Sequence, residues 1–309
     1  MPADNCATEP EGLLISILST AYNESEHISE MIDSVLAQSH TNWELLIIDD
    51  ASTDNTAEII ASYALRSPRI QFVSRGTKLG KVKAFNTAFA ASSGGVIVLM
   101  GADDVMPPDS LSIRAGALSA QSAAERSVGY FKLKTFSDHR KFDGLVIPRG
   151  EAGSRSGPSL TMSRALADLV FPIPEHLVSE DTWLGEATEA LAEFQINSPR
   201  VVVNYRIHAG NSNPRHKTFE QMDAAMHKRA AAWPALLAES RFVLPERSRR
   251  RIESLVRAET HRHAGETFRI LTQRSVPLAD RLAVASMSAP RLFALRTRFY
   301  RFFTGWRGR

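Results

Sequence analysis

Residues 44–56 read E-L-L-I-I-D-D-A-S-T-D-N-T. A nearly continuous apolar run, 44–48, stops at the acids Asp49 and Asp50 and gives way to small polar residues that suit a turn. So short a run reads as a strand buried on both faces, the habit of parallel sheets. The same pattern recurs on both sides. Residues 13–18 (L-L-I-S-I-L) lead into T-A-Y-N-E at 20–24, and residues 96–100 (V-I-V-L-M) lead into G-A-D-D at 101–104, with a further apolar run at 70–73. Helical spacings separate the strands. Ile28, Met31, Ile32, Val35 and Leu36 form one apolar face, opened by Asn23 and Glu26 as a capping box. A second helix is predicted from about 54 to 65, and a third over 81–91 with Val82, Phe85 and Phe89 on one side. Strand–helix–strand units repeated in this way predict an α/β sheet with right-handed crossovers.

Beyond residue 100 the pattern loosens. A strand is predicted over 128–136, and the Gly-, Ser- and Pro-rich stretch 148–158 reads as a mobile loop. A short helix near 160–169, a helix beginning near Ser179 and a strand at 201–207 follow, and from Phe219 the pattern is helical almost to the end. The composition, 43% apolar and 23% charged over 309 residues, is that of a globular chain with a sizeable core. Its single cysteine, Cys6, excludes an intrachain disulfide and suits a reducing compartment. The first eleven residues do not read as a signal peptide, and no segment approaches the ~20 apolar residues of a membrane span.

Ligands of open parallel sheets bind beyond the carboxyl ends of the strands, where this chain gathers its acids. The first loop lacks the glycines of a dinucleotide or triphosphate site. Asp103 and Asp104, emerging from a buried strand, suit a hard divalent cation shared with phosphate oxygens. The alternative for these two, and for Asp49 and Asp50, is turn formation and helix capping.

In this order and on these strands, T-A-Y-N-E, I-I-D-D-A-S-T-D-N-T and G-A-D-D-V-M-P-P-D-S-L resemble the nucleotide-sugar half of the family 2 glycosyltransferases. S-E-D-T-W at 179–183 is similar to that family's catalytic-base motif, and Y-R-I-H-A-G-N-S at 205–212 to its late histidine motif. The resemblance implies a GT-A fold: a mostly parallel sheet flanked by helices, Rossmann-like in its nucleotide-binding half, with a helical C-terminal appendage. With the helical pattern beyond Phe219, the chain is expected to divide into a short N-terminal tail (1–12), a catalytic domain (13–216) and a helical, Arg-rich region (217–309). The donor site would take Thr20, Tyr22, Glu24, Asp49 or Asp50, Lys81, Asn86 and Asp103. A divalent cation, Mn or Mg, would be held by Asp103, Asp104 and His208, with Asp104 the more direct ligand because the motif here is D-D rather than D-x-D. Asp181 would be the base, and Glu180, Gly157, Ser159 and Trp183 would orient or bind the acceptor. For Lys81 the competing reading is a solvated basic face, for Asn86 a structural brace, and for Trp183 helix packing.

The activity this implies is inverting transfer of a sugar from a nucleotide-diphosphate donor, a UDP-sugar, to a saccharide or lipid-linked saccharide in cell-surface polysaccharide or glycoconjugate assembly. A sugar nucleotidyltransferase is the rival enzyme, though T-A-Y-N-E lacks the Gly-rich basic loop it needs. A non-catalytic nucleotide-sugar or partner-binding module is the rival non-enzyme.

Charge divides the chain. Residues 241–309 hold 16 arginines, no lysine and 5 acids, a net +11, whereas residues 1–240 hold 21 basic and 29 acidic residues, a net −8. At the extreme end Leu292, Leu295, Phe299, Phe302 and Trp306 recur at helical spacing among Arg291, Arg296, Arg298, Arg301, Arg307 and Arg309. Such a helix suits an anionic membrane surface. Packing onto the acidic half, or homo-oligomer formation, is the alternative, and nucleic acid is not expected. The setting expected is cytoplasmic, peripheral on the inner face of the membrane.

Overall fold

The computed structural model describes residues 12–74, 76–119, 125–138, 140, 142–208 and 218–298. Four parallel strands lead: β1 (Ile15–Ala21), β2 (Trp43–Asp49), β3 (Ile70–Ser74) and β4 (Val96–Gly101), linked by α1 (Ile28–Leu36), α2 (Thr56–Ala64) and α3 (Lys81–Ala91). Then come α4 (Ser110–Leu118), β5 (Ser127–Phe136), β6 (Val146–Ile147), a 3-10 turn (Gly157–Ser159), β7 (Leu160–Ser163), α5 (Arg164–Val170), α6 (Glu180–Leu191) and β8 (Phe194–Arg206). The sheet order is β3-β2-β1-β4-β7-β5-β6, with β8 also paired to β5.

Side chains alternate across a strand, so continuous apolar runs feed two layers at once. Leu18, Leu46, Ile48, Ile97 and Leu99 face a core completed by Val82 and Phe85 of α3 and by Trp183 of α6. Ile15, Ile17, Leu45, Ile47, Val96 and Val98 face the other, completed by Ile28, Met31 and Ile32 of α1 and Leu111 of α4. Both layers hold the first four strands rigid, which fixes the loops at their carboxyl ends.

Three expectations change. Residues 160–163 form a strand, not the start of a helix: β7 runs antiparallel between β4 and β5, and the helix begins only at Arg164. The last strand extends back to Phe194, because β5 offers its whole length for pairing. The capping box at Asn23 and Glu26 does not form: His27 is the N-cap of α1, without a side-chain cap bond. Asn23 instead sits at φ 55°, and its Oδ1 accepts the Thr53 N–H at 2.8 Å, tying the first loop to the second.

The remaining helices are α7 (Phe219–Ala230), α8 (Ala232–Ala238), α9 (Glu246–His263), α10 (Thr267–Thr272), α11 (Leu278–Ala285) and α12 (Pro290–Arg298). The core crosses the 216/217 division expected from sequence, since Ala232, Leu236, Leu244 and Ile252 pack with Trp183. Arg251 adds ion pairs to Glu186 and, at 2.8 Å, to Glu189 of α6. In α12 no residue is buried, and Phe299, Phe302 and Trp306 lie outside the described residues.

Candidate active site

The sheet brings most of the expected residues to one edge. Thr20, the penultimate residue of β1, stands in register with Gly101. Tyr22 is 43% exposed with Lys78 Nζ 3.0 Å from its ring centroid, an exposed aromatic face backed by a cation. Asp49 and Asp50, adjacent in sequence, part in role. Asp50 accepts the N–H groups of Leu79 (2.5 Å) and Gly80 (3.0 Å), pinning the turn before α3, where Gly80 needs φ +83°. Asp49 Oδ2 accepts the Ser52 N–H at 3.2 Å, while its buried Oδ1 has no partner among the described residues.

Asp103 and Asp104 converge above Gly101. A Cβ there would stand 2.7 Å from Asp104 Oδ2 and 2.9 Å from Asp103 Oδ1, so the pair occupies space that only glycine leaves open. Asp104 is the inner one, 1% exposed, and its Oδ1 accepts the Arg206 N–H at 2.9 Å. Burial, and then the neighbouring Asp103 charge, hold its carboxyl well above the usual range. Asp103 faces outward to His208, with 3.1 Å from Oδ2 to Nε2. Of the expected pair, Asp103 is thus the more accessible and Asp104 the more buried. Arg206 Nε donates to the Asp103 carbonyl at 2.8 Å, and its guanidinium pairs with Glu30. Glu24 is pushed up to about 7 by burial, then by Asp103 and Asp54.

The expected base lies at the N-terminus of α6, whose cap Ser179 accepts the Asp181 N–H at 3.3 Å. Asp181 Oδ1 accepts the Gly157 N–H at 2.8 Å. The loop expected to be mobile therefore ends in a buried turn against this carboxylate. Glu180 is buried beside it and paired with Lys81 Nζ at 2.7 Å, and its Oε2 has no partner among the described residues. Burial, then Asp181, raises the Glu180 carboxyl. Burial alone would lower Lys81, but Glu180 and Asp181 outweigh it and raise the ammonium. Tyr205 stands between the acidic groups, pushed up to about 12 by burial, then by Asp104 and Asp103.

Other expected residues serve the frame. Asn86 donates to the Ile173 carbonyl (2.8 Å) and accepts its N–H (2.7 Å), so both amide atoms brace the turn before α6. Trp183 is fully buried, with Nε1 donating to the Val170 carbonyl at 2.9 Å. Ser159 is fully buried, with its Oγ accepting from Ser156 at 3.2 Å. Ala209 to Ser212 of the late motif lie outside the described residues.

Sequence reasoning passed over Gly101, His27, Tyr205 and Arg206. Gly101 carried a legible signal, a glycine two residues before paired acids. His27 carried none, because only the fold brings it to His208, ring centroids 4.9 Å apart and edge to face.

Residues 16–141 match the family model for glycosyl transferase family 2. TuaG of Bacillus subtilis, named for teichuronic acid biosynthesis, is 32% identical over 117 residues, 38% of this chain and 46% of TuaG. The Escherichia coli β-1,3-glucosyltransferase WfgD, named for UDP-Glc and α-D-GlcNAc-diphosphoundecaprenol, is 36% identical over 101 residues, 33% of this chain and 39% of WfgD. The matches thus span less than half the length of these relatives. Among solved structures, S. aureus TarS with UDP-GlcNAc superposes with a TM-score of 0.62 at 19% identity, covering 92% of this chain and 84% of that one. The Pyrobaculum calidifontis mannosyltransferase PcManGT, solved with GDP-Man and Mn2+, gives 0.57 at 17% identity, covering 93% and 79%. Segment 16–141, which carries the first three acidic loops, is thus the part of the chain that matches glycosyl transferase family 2.

Proposed function

We propose that this chain transfers a sugar from a nucleotide-diphosphate donor, a UDP-sugar, to a saccharide or lipid-linked saccharide acceptor, with inversion at the transferred carbon. The observation that carries the reading is the joint placement, at one sheet edge, of an unsatisfied Asp49 oxygen, a paired-aspartate cradle over Gly101 and a carboxylate held by Gly157. Asp49 Oδ1 would accept an N–H or O–H of the nucleoside, and Tyr22 would cover the base. Asp103 and Asp104, with His208, would hold a divalent cation. The donor set fits, with carboxyl oxygens of Asp103 and Asp104 converging in a space that a Cβ would fill. A bound cation supplies neutralisation of the charge that develops on the leaving diphosphate.

Asp181 would take the proton of the acceptor hydroxyl as it attacks. The Gly157 N–H fixes one of its oxygens, leaving the other to face the hydroxyl within the ~3 Å that proton transfer requires. Lys81 lies close enough to feel both Asp181 and Asp104, and it keeps Glu180 paired beside the base. Names among the relatives, with UDP-Glc, UDP-GlcNAc and GDP-Man as donors, support a nucleotide-sugar and leave the sugar to experiment. Calorimetric titration with UDP, UDP-Glc, UDP-GlcNAc and GDP-Man, each with Mn2+, tests the reading. Binding of a uridine nucleotide supports it, and failure of all four to bind refutes it.

We further propose that the Arg-rich end rests on an anionic membrane surface. Its net +11 complements such a surface, and Leu278, Leu282 and Leu295 stand exposed on α11 and α12. Among the described residues no helix is long and apolar enough to cross a membrane. Flotation with anionic liposomes should carry the full chain and not a chain ending before Arg291; equal behaviour of the two, or a stable dimer in their place, defeats this part.

A further inference from the structure

We infer that Glu24, His27 and His208 form a binding site for a borderline divalent metal of the zinc and cobalt class at the rim of the cleft. Each offers one ligand atom, and the three atoms lie within 4.8 Å of one another. They come from three places in the chain: the loop after β1, the N-cap of α1 and the segment just beyond β8. The inference extends the cation reading of the same cleft and shares with it His208 and its partner Asp103.

Donor chemistry separates this set from the aspartate pair. Two imidazole nitrogens and a carboxylate suit zinc or cobalt, whereas magnesium prefers oxygen throughout and keeps its waters. Zinc bonds of about 2.0–2.1 Å set tetrahedral ligands roughly 3.4 Å apart, so side-chain adjustments of about 1 Å close the set. The backbone is already held for it. The Glu24 N–H donates to Thr56 Oγ1 at 2.8 Å, and the Glu24 carbonyl accepts the His27 N–H at 2.9 Å. The two rings meet edge to face, and Asp103 Oδ2 lies 3.1 Å from His208 Nε2, in the position of a carboxylate that orients a ligating histidine. Arg206, the nearby cation, is engaged with Glu30 and the Asp103 carbonyl. Three protein ligands leave a fourth position for water or for a donor oxygen.

The test uses the nucleotide-free full chain and reads metal directly. Cobalt titration should give visible ligand-field bands at one equivalent, displaced by zinc and not by a hundredfold excess of magnesium. His27→Ala and the conservative variants His27→Gln and Glu24→Gln should each weaken cobalt binding at least about tenfold, whereas Asp104→Asn should retain the bands. The inference is overturned by absence of the bands, by magnesium competing as well as zinc, or by wild-type cobalt affinity in the His27 and Glu24 variants. Because no donor is present, that failure leaves the transfer reading standing, and failure of nucleotide binding leaves this one standing.

Discussion

Replacing Gly101 by alanine tests the paired-aspartate cradle without removing any charged group. Gly101 does not use a positive φ, so alanine fits the backbone and the effect is confined to the added methyl. That methyl would lie 2.7 Å from Asp104 Oδ2 and 2.9 Å from Asp103 Oδ1, against an ordinary contact of at least 3.4 Å. The carboxylates must therefore retreat by about 0.7 Å and 0.5 Å, respectively. Asp104 is buried and anchored by the Arg206 N–H, so it has little room to rotate away. Displacement of a catalytic or positioning group by about 1 Å costs about 100-fold, so a shift of this size should weaken Mn2+-dependent UDP binding and slow transfer by about 10- to 100-fold. Overpacking should also lower stability by about 1–3 kcal/mol. Calorimetry of UDP with Mn2+ measures the first effect and thermal denaturation the second. A folded Gly101→Ala protein that binds UDP and Mn2+ like wild type would falsify the cradle.

Asp181→Asn should slow transfer by about 10²- to 10⁴-fold while Mn2+-dependent UDP binding stays at its wild-type value, and loss of UDP binding would reassign the residue. Burial would raise the Asp54 carboxyl, but hydrogen bonds from Thr56 and Ser25 hold it at about 2, below its ordinary 3.8. Its contribution is thus fully present above pH 4 and is lost as the pH falls through 2, so Asp54→Asn should flatten the decline of melting temperature between pH 4 and 2; equal slopes in the two proteins would remove that role. Gly116, exposed in α4 with nothing near its missing Cβ, should stabilise the chain by about 0.5–1 kcal/mol when replaced by alanine. A lowered thermal midpoint there would mean that α4 is not helical at this point.

The first hundred residues were legible because each strand there is a local object. The apolar runs of β1, β2 and β4 are continuous and buried on both faces, and the first four strands pair with one another in parallel, so period and boundary agree; α3 begins and ends where its spacing places it. Residues 160–163 were not legible for the opposite reason. L-T-M-S flows into R-A-L-A-D-L, and the apolar positions Leu160, Met162, Leu166 and Ala167 suit a single helix as well as a strand followed by a helix. Only pairing with β4 and β5, distant in sequence, decides between them. In β8 the polar stretch N-S-P-R at 197–200 hides a strand whose ladder runs along β5 with register shifts, an edge position where proline is tolerated. Within the site, residue types were readable and their division of labour was not. Asp49 and Asp50 differ because one ends a strand and the other enters a turn, and no composition records that.

The geometry also shows how two distant loops come to share one support. Ser110 of α4 donates to the Val202 carbonyl of β8 at 2.7 Å, fixing the helix that follows the Asp103–Asp104 loop. One turn on, Arg114 is fully buried, and burial brings its guanidinium down to about 9. Its partners are neutral: the carbonyls of Pro158 (2.6 Å) and Leu160 (2.8 Å), Thr161 Oγ1 (2.8 Å) and Ser110 Oγ (3.2 Å). A charge buried without a counter-ion is costly unless its hydrogen bonds are complete, and the Pro158 carbonyl belongs to the turn whose Gly157 N–H holds Asp181, with Leu160 following it. The aspartate cradle and the carboxylate proposed as the base are thus anchored to the same helix from opposite sides of the cleft. A site that must meet developing charge without rearranging needs that common footing more than it needs any single contact.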